Sequence, residues 1–411
     1  MTRATLLPDP SPRERAHTII SVDDHLIEPA DLFEGRIPAA LADRAPRIET
    51  DAAGNQAWHF DGGIYPNIGL NAVAGRPKDE WSMEPARYDE MRRGCWDPRA
   101  RIADMDRAGI WATLCFPSLV AGFAGTVFAR CSDPEVGLAC VRAWNDWHHE
   151  VWCAPSRERI MALQIPWLSD PGLASAEVVR NAERGFRAVS FLENPVHLGL
   201  PSVHTRHWDP FLAACEETGT VVCLHTGSSG WSPVVSPEAP VEQLTTMFPA
   251  NAAVTAAEWL WAGIPLRFPR LRVALSEGGI GWVPMLLDRL DYIADHSGTA
   301  AAGSGARAWR GATMRPSEAL RHHFWFCTID DPSTLPLIDR IGTDHVMAEV
   351  DYPHADSSWP DTQTILGDRL SGLADDVVEA VTWANAAALF GLDVDTDAVA
   401  EWRAEVPCST S

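Results

Sequence analysis

Eight short apolar runs alternate with amphipathic helical patterns along this chain. That alternation predicts an α/β protein, a closed (β/α)8 TIM barrel with a long insertion after its first strand. Three observations carry the prediction. The runs show little polar alternation, as expected of parallel strands covered on both faces. Their number is the number a barrel requires. No GxGxxG turn follows the first run, which counts against an open doubly wound sheet.

The predicted strands cover residues 18–22, 110–116, 159–165, 186–192, 220–224, 271–276, 324–328 and 345–350, each rich in β-branched, aromatic and aliphatic side chains. Helical patterns lie between them at 97–109, 133–154, 171–185, 210–219, 251–263, 280–296 and 335–342, and a last one at 375–390 closes the series. Several open on proline and end on glycine, the usual asymmetry of helix ends. Residues 30–96 break the alternation. They hold several prolines and one hairpin-like piece, 56–65, with Asp61, Gly62 and Gly63 as its turn. This segment reads as an insertion over the barrel mouth of a single domain spanning 1–411. The Gly/Ala-rich stretch 298–310 reads as a surface loop.

Composition excludes several function classes. The 411 residues carry 33 basic and 56 acidic side chains, a net charge of −23, so nucleic acid and anionic membranes are unsuited as partners. Hydrophobic residues at 46% are too many for a disordered chain. Lys78 is the single lysine, which speaks against Schiff-base chemistry, pyridoxal phosphate and lysine-carbamate bridges together. No GxxxxGK[ST] occurs, so no P-loop is present. Nine cysteines without a CxxC pair read as reduced thiols of a cytoplasmic protein. No apolar stretch of signal-peptide or membrane-spanning length is seen. A small-molecule substrate and a homodimer are the expected partners.

A barrel's active site lies where its strands end. The first strand runs into Asp23-Asp24-His25, the fifth into His225, the sixth into Glu277 and the eighth into Asp351 and His354. Side chains at i and i+2 of a strand share a face, so Asp23 and His25 point together and Asp24 points away. Asp23, His25, His225 and Asp351, with Glu277 alongside, form a mixed nitrogen and oxygen set. It suits zinc, manganese or iron and is too rich in nitrogen for calcium. Asp351 is the candidate acceptor of a water proton, and Glu277 or His354 the candidate proton donor. Eighteen tryptophans are many for this length. Trp231 and Trp282 follow strand ends and, with His204 and Asn194 after the fourth strand, are candidates for substrate contact. Arg87, Arg92 and Arg93 are candidates for a carboxylate clamp.

The segments ISVDDHLIEP, LGLPSVHTRHWDPFLAACEETGTVVCLHTGSSG, LSEGGIGWVPMLLDRLD and VDYPHADSSWP resemble the amidohydrolase superfamily. Within it they resemble the branch of aminocarboxymuconate-semialdehyde decarboxylase and the aromatic-acid decarboxylases, over about Ile19 to Leu392. The resemblance implies a metal-dependent barrel with Asp23-x-His25, His225 and Asp351 as ligands. It implies hydrolysis or non-oxidative decarboxylation of a small aromatic or polycyclic carboxylate or carbonyl compound. Two departures stand out. Glu277 occupies the place where the decarboxylases carry a histidine. The fourth strand, FRAVSFLEN, lacks the lysine that bridges two metals in binuclear members. One or two divalent ions (Zn, Mn or Fe) are expected, and a second would need a carboxylate bridge: Glu277, Asp23 or Glu193. The carboxylate-rich set leaves a non-heme iron, even di-iron, monooxygenase on the same fold as the alternative. A binding protein on an inactive barrel is the remaining reading, and the ligands it would lack are mostly present.

Overall fold

The computed structural model describes residues 6–67, 69–82, 87–234, 236–298 and 305–405. Contacts divide the chain into two compact units: residues 1–169, 349–368 and 392–411, and residues 170–348 and 369–391.

In the first unit, β1 (Ile20–His25), β5 (Ala112–Phe116) and β6 (Ile160–Met161) form a parallel three-stranded sheet in the order β1-β5-β6. Every residue of β1 and β5 is buried, although β1 is apolar only at Ile20 and Val22 and buries Ser21, Asp23, Asp24 and His25 beside them. A short β7 (Leu163–Gln164) follows β6. The register of β1 on β5 shifts between Ser21 and Asp24, so β1 carries one residue more than its partner over that stretch. Between β1 and β5 lies the insertion. It holds an antiparallel sheet of β2 (Arg47–Thr50), β3 (Gln56–Phe60) and β4 (Gly63–Pro66). The predicted turn joins β3 to β4, with Asp61 and Gly62 at φ 48° and 79°, as a two-residue type I′ hairpin requires.

Two helices of this unit begin where Asp precedes Pro. Asp97 accepts from the backbone N–H groups of Arg99 and Ala100 and starts the helix Pro98–Ala108. Asp133 accepts from that of Glu135 and starts Pro134–Trp147. The predicted single helix 133–154 changes winding at His148, and residues His148–Trp152 form a π-helical turn. Trp58, Trp144, Trp152, Phe116 and Phe128 are fully buried in this unit.

The second unit is organised on five parallel strands, β8 (Ala188–Phe191), β9 (Val221–His225), β10 (Val273–Ser276), β11 (Phe324–Thr328) and β12 (Val346–Ala348), each hydrogen-bonded to the next. The helices Pro171–Glu183, Asp209–Thr218, Phe248–Trp261 and Val283–His296 fall within the predicted intervals or a few residues outside them. Phe191, Trp208, Phe211 and Trp259 pack ring against ring at its core. Of the expected loop 298–310, residues 299–304 lie outside the described residues, and Gly305–Trp309 is helical.

Candidate metal centre

In the first unit, the segment after β12 runs beside β1. The Asp351 N–H donates to the Asp23 carbonyl (2.8 Å), the His25 N–H to the Tyr352 carbonyl (2.7 Å), and the Val350 N–H to Ser21 Oγ (3.0 Å). These bonds bring Asp351 level with the end of β1. His25 Nε2 lies 3.6 Å from Asp23 Oδ1 and 3.4 Å from Asp351 Oδ1, all three side chains being fully buried or nearly so. His354 Nδ1 lies 3.0 Å from the same Asp351 oxygen. Its ring stacks on that of His25, centroids 3.8 Å apart and planes 22° apart. Phe116 and Phe123 flank the His25 ring. His25, Asp351 and His354 each present a donor atom within 4.8 Å of the others, and Asp356 does so with Asp351 and His354.

Asp24 points away from this group, as strand alternation predicts. Thr113 donates its hydroxyl to one carboxylate oxygen and the Tyr352 N–H reaches the other at 2.8 Å. Burial pushes the Asp24 carboxyl up to about 6, against the pull of Arg101 and of these bonds.

Beneath lies a group that sequence reasoning missed. The Arg101 guanidinium, fully buried, donates to the carbonyl of His25 and, at 2.8 Å, to that of Gly94, and sits 4.3 Å above the Tyr352 ring. Tyr352 donates its hydroxyl to Asp104 (2.7 Å), and Arg92 grips the same carboxylate with two bonds of 2.8 and 2.7 Å. Arg92 is therefore committed to Asp104 and Asp9, Arg87 to Asp89 and Arg93 to Asp97, so none of the three is the open carboxylate clamp expected. Arg101 and Asp104 sit three residues apart on a helix that otherwise reads as a charged surface helix, and only their burial distinguishes them.

In the second unit, β9 and β10 pair so that His225 lies opposite Ser276. Glu277, one residue further on, then reaches His225 Nε2 at 3.5 Å. His225 Nδ1 faces the Thr226 carbonyl at 2.7 Å, which assigns the proton to Nδ1 and leaves the Nε2 lone pair for a cation. Glu277 and Asp351 share a further trait: φ is 58° and 57°, in the left-handed region that costs a non-glycine residue about 1–3 kcal/mol. Such strain collects at functional sites.

Glu193 accepts from the Gly227 N–H (2.9 Å), close after His225, and from Thr255 at 3.5 Å. Burial pushes it up to about 7. It braces the His225 loop. Asn194 likewise caps the short helix Pro195–Leu198 and accepts the Val196 N–H (3.1 Å). His204 pairs with Glu258 at 3.2 Å, half-exposed. Trp282 is buried, its N–H shared by the Gly278 and Gly279 carbonyls at 3.0 Å, and acts as a core anchor. Trp231 is the more open ring and stacks on His197, centroids 5.3 Å apart.

The amidohydrolase family model matches residues 28–392. The chain belongs to the amidohydrolase family. Its fold class is the family's (β/α)8 barrel, as the strand and helix order predicts. This amidohydrolase is 22% identical over 323 residues to 2-amino-3-carboxymuconate-6-semialdehyde decarboxylase of Dictyostelium discoideum, covering 74% of this chain and 80% of the relative. Among solved structures it is similar to an amidohydrolase of Mycobacterium avium subsp. paratuberculosis (TM-score 0.72, 24% identity, 92% of this chain and 99% of that one). It is also similar to a dihydroxybenzoic acid decarboxylase of Polaromonas with bound manganese and 2-nitroresorcinol (TM-score 0.61, 17% identity, 93% and 99%). No helix among the described residues is long and apolar enough to cross a membrane, and the eight described cysteines are free thiols.

Proposed function

We propose that this amidohydrolase is a divalent-metal enzyme that decarboxylates, or alternatively hydrolyses, a small aromatic or polycyclic carboxylate or carbonyl substrate. The observation that carries the reading is the convergence of Asp23, Asp351 and His354 on the His25 ring in a buried setting. Oxygen and imidazole donors in that mixture fit manganese, iron or zinc. Asp23, His25 and Asp351, together with His225, would hold the ion, with Glu277 as a further candidate ligand. A bound divalent ion supplies a Lewis acid for a substrate oxygen and lowers the pKa of a bound water. The chain's own groups handle protons and position. Asp351 accepts a proton from water on the hydrolytic route. On decarboxylation the bond from ring carbon to carboxylate breaks, carbon dioxide leaves, and the electron pair left on carbon takes a proton from Glu277 or His354. The kinship with decarboxylases supports the decarboxylating arm over the hydrolytic one. The same proposal treats residues 1–411 as one barrel domain with 30–96 laid over its mouth, working as a homodimer in the reducing cytoplasm.

Elemental analysis of anaerobically purified protein, with His25→Ala and His225→Ala, tests the ligand set. Carbon dioxide release from a panel of hydroxybenzoates tests the reaction. A metal-free chain with undiminished turnover refutes the reading. A second reading, a non-heme iron monooxygenase, rests on one feature, the carboxylate of Glu277 beside His225. Oxygen uptake by the iron-loaded protein, absent with manganese, would select it.

A further inference from the structure

Glu277 holds an unfavourable backbone posture, and the turn that follows it shows what keeps it there. Glu277 at φ 58° and Gly279 at φ 59° are both left-handed, with Gly278 between them. A left-handed residue other than glycine relaxes unless its surroundings fix it. Two walls of the second unit do so. On one side, a Cβ on Gly278 would lie 2.4 Å from Ala252 Cβ, so the turn presses against the helix Phe248–Trp261. On the other stands Asp331, three residues beyond the end of β11. Gly279 packs against it, since a Cβ there would lie 3.1 Å from Asp331 Oδ1.

We propose that Asp331 is the positioning residue for Glu277, holding this turn so that the Glu277 carboxylate faces His225 as a metal ligand. This rests on the metal reading above and extends it from the ligands to their support.

The Asp331 carboxylate ties the turn to the neighbouring strand. Oδ1 accepts the Ile280 N–H at 3.2 Å, and Oδ2 accepts the Thr328 hydroxyl at 2.7 Å. Thr328 is the last residue of β11, which pairs with β10. The backbone of Asp331 is fixed as well, because its carbonyl accepts the N–H groups of Thr334 (3.0 Å) and Leu335 (3.1 Å). The Gly278 and Gly279 carbonyls go to Trp282, but Trp282 follows on the same turn and moves with it. Asp331 is the outside point. Relaxation of φ at 277 would swing the carboxylate off His225 Nε2, now 3.5 Å away.

Substitution at 331 separates positioning from charge. Asparagine keeps an oxygen for the Ile280 N–H and offers an N–H to the Thr328 hydroxyl, which turns to accept it. Alanine keeps neither bond.

The test uses the full-length protein, each variant's fold being checked by circular dichroism. In metal-free protein, Asp331→Ala is expected to exchange its amide hydrogens at 277–281 about tenfold faster than wild type, and Asp331→Asn at the wild-type rate. In manganese titrations, Asp331→Ala and Glu277→Ala are each expected to bind about tenfold more weakly, Asp331→Asn to match wild type, and the double variant to be no weaker than Glu277→Ala alone. Should Asp331→Ala unfold, Thr328→Val, which removes only the hydroxyl that orients the carboxylate, takes its place in the cycle. Unchanged exchange at the turn, equal loss in Asp331→Asn, or a double variant about a hundredfold weaker than wild type overturns the positioning role and leaves the metal reading standing. Wild-type affinity in Glu277→Ala does the same. Wild type that takes up no manganese overturns both.

Discussion

Glu28 offers a clean test of how this fold handles a buried acid near its candidate centre. Its side chain is fully buried and accepts the backbone N–H groups of Leu119 (3.0 Å) and Ser118 (3.3 Å), which pins the chain just beyond β5. Burial outweighs these bonds and lifts its carboxyl from 4.5 to about 7. The folded state therefore keeps a proton that the unfolded state releases near 4.5. The associated stability is complete below that pH, is lost progressively as pH rises to 7, and falls no further above it. At 1.36 kcal/mol per unit the loss amounts to about 3 kcal/mol across the window. Glu28→Gln cannot titrate. It carries a pH-independent cost, because its amide presents a donor where the carboxylate accepts twice. Urea denaturation of both proteins between pH 4.5 and 7.5 isolates the effect, since every other titrating group cancels in the difference. Wild type should lose about 3 kcal/mol relative to the variant as pH rises. Parallel profiles would refute a displaced Glu28, and a wild type that gains on the variant would reverse the sign.

Three further outcomes are expected. Glu277→Gly should be more stable than Glu277→Ala by about 1 kcal/mol in metal-free protein, because glycine relieves a left-handed backbone that alanine retains; equal melting points would mean that position 277 is unstrained. Arg101→Lys should stay folded yet bind manganese about tenfold more weakly, since a lysine cannot reproduce the fork that holds the His25 carbonyl; unchanged affinity would remove Arg101 as a positioning residue. Trp282→Ala should cost about 3–5 kcal/mol as a core deletion, while Trp231→Ala should cost under about 1 kcal/mol. A raised KM in Trp231→Ala alone would make it a substrate contact.

The strands were legible because parallel sheets bury both faces and so leave uninterrupted apolar runs. All eight predicted runs contain a strand, although β1 extends three residues past its predicted end, through His25. Its extension is polar, and a run-based reading stops at the first aspartate. β2 went unseen, since RIET alternates on a half-exposed edge and looks like loop. Candidate ligands were legible by residue type at strand ends: Asp23, His25, Asp351 and His354 gather in one unit, and His225 and Glu277 meet in the other. Their supports were not. Arg101, Asp104 and Glu28 are charged residues whose partners are set by tertiary packing, and nothing local marks them as buried. Nor does the sequence show that Glu193, a candidate bridge, and Asn194, a candidate substrate contact, also accept the backbone N–H groups of Gly227 and Val196.

The register shift in β1 has an evolutionary consequence. Because β1 spends one extra residue between Ser21 and Asp24, the side on which each later side chain emerges depends on that insertion. Loss of a single in-frame codon at this point would swap the outlook of Asp24 with that of its two neighbours and silence the strand's donor pair at a stroke.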